Sequence, residues 1–195
     1  MKGDKRERII RVLLDNSYEN LTAYRIHKLV GCSEQWVGKY LRKLGSLDLV
    51  ERTKVVDVIG LFDHWLSIRN PPMYSEYHLQ NDPLNVVRKI SAPYALTTYQ
   101  ADNIVHRYLF PTRTDIYILE DDLDLWHRSL LSHGLVGSGN TRVLVADPHI
   151  IENSFRIDDM PIVPRSQLIC DLLMEGGVAV DAADILIRKW YLDII

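Results

Sequence analysis

The amino-acid sequence predicts an α+β protein built from two domains. Residues 1–55 carry 12 Lys/Arg against 7 Asp/Glu, whereas residues 56–195 carry 11 against 19, so a basic segment precedes an acidic one. Apolar residues in the first segment recur at helical spacing. From residue 73 onward, short apolar runs alternate with amphipathic stretches, which is typical of a mixed sheet with helices on its faces.

The composition is that of a globular protein, with 47% hydrophobic and 25% charged residues. No apolar run approaches the roughly 18 residues of a membrane helix, and the N-terminus lacks the apolar stretch and cleavage site of a secretory signal. We therefore expect no membrane partner and a cytoplasmic location. Cys32 and Cys170 form no Cys-x-x-Cys motif, so buried free thiols are expected instead of a disulfide or a zinc site.

The sequence predicts three helices within residues 1–57. Thr22 is expected to cap the second helix, which Gly31 ends in the left-handed conformation. Ser33 is expected to cap the third, with Glu34 in its first turn, where the helix dipole favours an anion. The first helix has its apolar residues on one side: Ile9, Ile10, Leu13 and Leu14.

The third helix has a narrow apolar stripe, formed by Val37, Leu41 and Leu44. Glycine inside a helix costs about 1 kcal/mol relative to alanine, so Gly38 indicates either close approach of a DNA backbone or a tolerated cost. Trp36 either packs on sugar-phosphate or covers a neighbouring helix. The opposite face is polar and mostly basic: Gln35, Trp36, Gly38, Lys39, Arg42 and Lys43.

Two short β-rich runs, "LDLVE" and "KVVDV", follow this helix around the break "RT". Helix, turn, helix and then a strand pair are the plan of a winged helix-turn-helix domain. The spacing and the terminal "L-x-L-V-E" resemble many archaeal and bacterial regulators, which implies double-stranded DNA as a partner. A winged helix used only for protein contacts is the alternative interpretation.

In the expected complex the third helix enters the major groove and the strand pair lies near the neighbouring backbone. Base contacts are expected from Gln35, Lys39 and Arg42, and phosphate contacts from Lys43 and the strand pair. The predicted DNA-binding residues share these two elements: Ser33, Gln35, Trp36, Lys39, Arg42, Lys43, Arg52 and Lys54.

The domain boundaries follow from a buried amphipathic helix, "DVIGLFDHWLSIRN", that "PP" at 71–72 ends. We expect a winged-helix domain over residues 1–57, a linking helix over 58–72 and a second domain over 73–195. That domain has four predicted strands, "MYSEYHLQ", "YALTT", "RTDIYIL" and "TRVLVAD", and an extended "RIDDMPIVP". Its predicted helices are "DPLNVVRKI", "YQADNIVHRYL", "DDLDLWHRSLLSHGL", "RSQLICDLLMEGG" and "VAVDAADILIRKWYLDII", and "GLVGSGN" is expected to be a loop.

The order "YALTT", "YQADNIVHRYL", "RTDIYI" and "PRSQLICDLL…GG…DAADIL" resembles the nucleotidyltransferase-like domain of AbiEi-type antitoxins and related archaeal regulators. The resemblance spans most of the chain and is most particular over residues 164–186. It implies a winged helix followed by a nucleotidyltransferase-like α/β domain with a mixed sheet. It also implies DNA binding, repression of the protein's own operon and a toxin protein as partner.

An active transferase of this fold would have a Gly-Ser turn for the triphosphate and an Asp-x-Asp strand for two Mg²⁺ ions. The corresponding turn is Thr97-Thr98-Tyr99, and the strand carries Asp115 with Tyr117 in the partner position. Asp147 is the one further candidate carboxylate. We therefore expect a non-catalytic domain without cofactor or metal.

Two alternatives stay open: an active nucleotidyltransferase that uses Mg²⁺ and NTP through Asp115 and Asp147, and an interaction module without DNA binding. Many winged-helix regulators dimerise, so a homodimer is a further candidate assembly, although no heptad repeat indicates one.

Overall fold

The computed structural model describes residues 4–192. Residues 1–3 and 193–195, which belong to the predicted first domain and the predicted last helix, lie outside the described residues. The protein has an α+β fold with a large mixed sheet, as the sequence predicted. Two compact units make up the chain: one contains residues 71–185, and the other contains residues 4–70 and 186–192. Within residues 4–192, every helix is too short or too polar to cross a bilayer.

The unit of residues 4–70 begins with helices α1 (Lys5–Asp15), α2 (Ala23–Val30) and α3 (Glu34–Gly45). A hairpin of β1 (Val50–Glu51) and β2 (Lys54–Val55) follows, and then α4 (Val58–Ile68). The predicted caps are confirmed: Thr22 and Ser33 accept backbone N–H groups of Arg25 and Trp36, and Gly31 lies in the left-handed region with φ 69°. These caps fix where α2 and α3 begin and therefore the turn between them.

The core of this unit joins α1, α3 and α4 around Trp65, which is fully buried. Its indole N–H donates to Glu7 of α1 (3.0 Å), and Arg11 lies over its ring. The last described segment, a π-helical turn over Arg188–Leu192, belongs to the same unit, where Tyr191 contacts Phe62 edge to face. The Tyr18 hydroxyl donates to the carbonyl of Trp190.

The unit of residues 71–185 is a seven-stranded sheet with the order β6-β3-β7-β5-β4-β9-β8. Pairs β5–β7 and β4–β9 are parallel, and the other pairs are antiparallel. All five residues of β5 are buried, as expected of a central strand that is covered on both faces. The strands are β3 (Tyr74–Leu79), β4 (Tyr94–Thr97), β5 (Thr114–Ile118), β6 (Gly134–Val136), β7 (Thr141–Val145), β8 (Phe155–Ile157) and β9 (Met160–Ile162).

The helices of this unit are α5 (Pro83–Val87), α6 (Thr98–Val105), α7 (Leu123–Leu131), α8 (Pro148–Glu152), α9 (Arg165–Glu175) and α10 (Val178–Ile187). The last two residues of α10 are assigned to the other unit. Two predictions are corrected. Gly134–Val136 is an edge strand instead of loop, because it pairs with β3. The extended "RIDDMPIVP" is a hairpin of β8 and β9, in which Asp158 and Asp159 turn the chain at positive φ.

Candidate functional site

The outward side of α3 follows from the burial of its apolar side. Val37 and Leu44 are fully buried, and Leu41 and Tyr40 are nearly so. The predicted stripe therefore faces the core and is one residue wider than expected, because Tyr40 also packs inward. Burial raises the pKa of Tyr40, whose hydroxyl lies 3.1 Å from Nε2 of His64 on α4. This contact joins α3 to α4 and fixes the rotation of α3 about its axis.

Six of the eight residues predicted to contact DNA are exposed side chains of α3 and the hairpin, here named the basic face. Its cations have no carboxylate within ion-pairing distance anywhere in residues 4–192. Exposed Arg25, by contrast, pairs with Glu19 at 3.1 Å. The basic face consists of Gln35, Lys39, Arg42 and Lys43 on α3 together with Arg52 and Lys54 of the hairpin. Five exposed cations on α3 and the hairpin attract a polyanion, and exposed Glu34 and Glu51 on the same two elements offset part of their charge.

Trp36 stands beside the basic face and is half-buried. Its ring stacks on Tyr40, one turn further along α3, with centroids 5.5 Å apart and planes at 29°. The structure therefore gives Trp36 a partner on its own helix, which neither of the two sequence-based interpretations anticipated. Ser33 is exposed and serves as the cap of α3, with its hydroxyl accepting the N–H of Trp36.

The hairpin is held at its tip. Thr53 donates its hydroxyl to the carbonyl of Leu21 (2.6 Å), just before α2 begins. The neighbouring Arg52 lies in the left-handed region, with φ 59°, which is unfavourable for a residue with a Cβ. The contact of Thr53 keeps Arg52 exposed next to the start of α2.

A surface hollow of about 560 Å³ lies between α2, α3 and the hairpin tip. Gly38 lines it, and a Cβ at that position would meet only the Arg42 guanidinium, 3.7 Å away. Folding of this unit therefore does not require glycine at position 38. The hollow is lined by Leu21, Thr22, Ala23, Gly38, Leu41, Arg42, Gly45, Arg52 and Thr53. Sequence reasoning did not identify Thr22, Ala23 or Thr53 as neighbours of the basic face.

The second group of charges lies in the unit of residues 71–185, where the resemblance places a metal site. Asp115 of β5 is completely buried and bound by two guanidiniums. Arg113 donates to both of its oxygens (2.6 and 2.9 Å), and Arg142 of β7 donates to Oδ2 (2.9 Å). Glu175 of α9 accepts from the same two arginines, at 2.8 Å each. We name these four residues the charge cluster.

Side chains of the Thr97-Thr98-Tyr99 turn hydrogen-bond to the charge cluster. Thr98 donates its hydroxyl to Oδ2 of Asp115, and it does so with φ 48°, a rare conformation for a β-branched residue. Thr97 donates to Asp171 of α9 (2.6 Å), which also accepts from Tyr117 (3.1 Å). Tyr117, which occupies the position of the second aspartate in the expected Asp-x-Asp strand, therefore hydrogen-bonds to Asp171 inside the protein.

The two candidate carboxylates are not brought together. Asp115 is in register with Arg142 of β7, whereas Asp147 follows the end of that strand at Val145, five residues after Arg142. Asp147 instead caps α8, where its Oδ1 accepts the N–H of His149 (3.1 Å). Asp115 and Glu175 are already neutralised by arginine, and Asp171 accepts from Thr97, Tyr117 and Gln167, so the residues present do not fit a pair of Mg²⁺ ions. Within residues 4–192, no group of three or more acidic, His or Cys side chains is arranged for a metal.

Comparison with known proteins adds no identification, because no family model, curated protein or solved structure matches this chain.

The charge cluster predicts a pH-dependent stability. Burial alone would raise the pKa of Glu175, but hydrogen bonds from Arg142 and Arg113 outweigh burial and hold that pKa below its ordinary value of 4.5. Because the pKa is lower in the folded than in the unfolded protein, the stabilisation is complete above pH 4.5 and is lost as the pH falls through the folded-state pKa. Glu175→Gln should lower the free energy of unfolding at pH 7 by about 1 kcal/mol or more.

Urea unfolding followed by circular dichroism between pH 7 and pH 3.5 measures this difference. The gap between wild type and Glu175→Gln should close as the pH falls below about 4.5. Glu152→Gln, at an exposed position of α8, is the control and should change little at any pH. A gap that stays constant or widens at low pH contradicts the role given to Glu175.

Proposed function

We propose that the protein is a sequence-specific DNA-binding transcriptional regulator that uses the basic face as its DNA contact. The single observation that carries the proposal is the set of five exposed cations without ion-pair partners among the described residues, on and beside α3. Because the buried apolar residues fix the rotation of α3, the three cations of this helix all lie on its exposed side. Phosphate neutralisation by such cations releases counterions and supplies most of the affinity in protein–DNA complexes.

The order of elements supports a winged-helix interpretation of residues 4–70. Three helices, a short antiparallel hairpin and the exposed outer side of the third helix match the geometry in which a recognition helix enters the major groove. In this arrangement Gln35, Lys39 and Arg42 face base edges, whereas Lys43, Arg52 and Lys54 face phosphates.

The charge cluster supports a non-catalytic role for residues 71–185. A transferase of the resembled fold needs free carboxylates and a glycine-containing turn. Here Asp115 and Glu175 are each bound by Arg113 and Arg142, and the turn at Thr98 is closed onto Asp115. The resemblance to AbiEi-type antitoxins adds that the regulated operon would be the protein's own and that a toxin would be its protein partner.

The direct test is binding to duplex DNA, measured by fluorescence anisotropy with the region upstream of the protein's own gene and with random duplexes. Lys39→Ala combined with Arg42→Ala should weaken binding by about 2 kcal/mol or more, since two base contacts are lost. Binding of the wild type should weaken steeply as salt is added, because its phosphate contacts release counterions.

A matched control removes two exposed cations from the other unit, Lys89→Ala with Arg128→Ala. This control should bind as tightly as wild type. If the control loses as much affinity as the α3 variant, binding depends on total charge and the basic face has no special role. If the wild type binds no duplex even at low salt, the proposed function is wrong and the interaction-module alternative is favoured.

Gly38 gives a separate prediction, because its effects on folding and on binding have opposite signs. Gly38→Ala should stabilise α3 by about 0.5 to 1 kcal/mol, since the new methyl group meets only a flexible side chain. The same methyl group projects into the hollow and should weaken DNA binding several-fold if a DNA backbone approaches there. Urea unfolding and anisotropy on the same sample measure both effects. Increased stability with unchanged affinity would mean that Gly38 only lowers the stability of α3 and has no role in DNA binding.

A further inference from the structure

A second hollow, of about 430 Å³, lies within the unit of residues 71–185. It opens beside the start of β4, between the loop after α5, the end of α8 and the β8–β9 hairpin. We name it the arginine hollow. It is lined by Arg88, Ala92, Pro93, Tyr94, Ile151, Ser154, Arg156, Asp159, Met160 and Pro161. Cavities of this volume are in the range that binds small molecules.

The two arginines of the hollow have no carboxylate partner in the part of the chain that the structure describes. Arg88 makes no side-chain hydrogen bond there, and Arg156 donates only to the backbone carbonyl of Asp159. Asp and Glu outnumber Lys and Arg by 16 to 8 within residues 71–185, and Arg107 and Arg128 of that unit likewise make no ion pair with a carboxylate of residues 4–192. Arg113 and Arg142, in the same unit, each bind two carboxylates.

Both arginines line the hollow together with Tyr94. Burial raises the pKa of Tyr94, and the positive charges of Arg88 and Arg156 act against that rise. The Tyr94 hydroxyl has no hydrogen-bond partner among residues 4–192. Its ring is held in place by an edge contact with buried Trp126, at 5.7 Å between centroids. Two arginines without carboxylate partners and one tyrosine whose hydroxyl has no hydrogen-bond partner among residues 4–192 therefore line the same hollow.

Apolar residues form part of the remaining wall, which also contains Ser154 and Asp159. Pro93 and Pro161 fix the backbone on two sides, because the proline ring restricts φ. Pro161 is paired with Arg156 across the β8–β9 hairpin, so their side chains project from the same face of it. Asp159 is the one acidic residue at the rim, and the charge of the lining remains positive.

We propose that the arginine hollow binds a small organic anion, a carboxylate or a phosphate carried on an apolar body of about one ring. The anionic group would accept hydrogen bonds from Arg88, Arg156 and the Tyr94 hydroxyl, and the apolar body would lie against Pro93, Met160 and Pro161. Arginine suits this role because its planar donors match both carboxylate and phosphate oxygens. This site is independent of the DNA-binding proposal, since it uses none of the residues of the basic face.

Isothermal titration calorimetry on the full chain tests the site with four probes: benzoate, phenyl phosphate, neutral benzamide and inorganic phosphate. At least one of the first two should bind saturably, with a Kd of about 1 mM or tighter. Benzamide and inorganic phosphate should bind about tenfold more weakly, because each lacks one half of the recognised chemistry. Binding of benzoate alone would identify a carboxylate site, and binding of phenyl phosphate alone a phosphate site.

Arg88→Gln should weaken the bound probe about tenfold or more, and it is the cleanest variant because no hydrogen bond holds the Arg88 side chain. Arg156→Gln should do the same if circular dichroism shows an intact fold. Arg107→Gln removes an equally exposed arginine from a loop that does not line the hollow and should leave the Kd unchanged. The proposal is overturned if neither anion binds up to about 10 mM, if benzamide binds equally well, or if Arg107→Gln loses as much affinity as Arg88→Gln.

Discussion

The burial of one side of α3 is the constraint on which the proposed function depends. Val37 and Leu44 have no exposed surface, and Tyr40 reaches His64 on α4, so the helix has one permitted rotation. That rotation leaves Lys39 and Arg42 in solvent without carboxylates to neutralise them. Ordinary amphipathic helices also have polar outer sides, but their charges are commonly of both signs and paired along the helix. The exposed side of α3 carries three cations and one carboxylate, that of Glu34 in its first turn, and the hairpin adds two more cations.

In the unit of residues 71–185, by contrast, the charges of the charge cluster are paired with one another. Asp115 is buried in a central strand, and removing a carboxylate from water is unfavourable unless it is compensated. Arg113 and Arg142 compensate it, with Glu175 balancing the second positive charge. The consequence is a hydrogen-bonded network in which neither Asp115 nor Glu175 is left without an arginine partner. Arg88 and Arg156 differ from this pattern, and their lack of carboxylate partners is what distinguishes the arginine hollow from a structural ion-pair network.

Local signals predicted much of the fold, and long-range pairing accounts for what they missed. The caps at Thr22 and Ser33 and the stop at Gly31 depend on neighbours in sequence, so these helix ends were predictable. The strand Gly134–Val136 was not, because it exists only through its pairing with β3. The charge cluster could not be predicted from the sequence either, because the register that sets Asp115 beside Arg142 depends on the parallel pairing of β5 and β7. Likewise, no local pattern indicated that residues 186–192 group with residues 4–70.

The most direct test of the central claim is a two-dimensional NMR titration of the full chain with duplex DNA at low salt. This measurement reports on each backbone amide and therefore locates the contact without any substitution. The largest shifts should fall on residues 33–43 and 52–54, with further shifts at Thr22 and Ala23, and all of them should weaken as salt is added. Shifts confined to residues 71–185, or no shifts at any duplex concentration, would contradict the central claim.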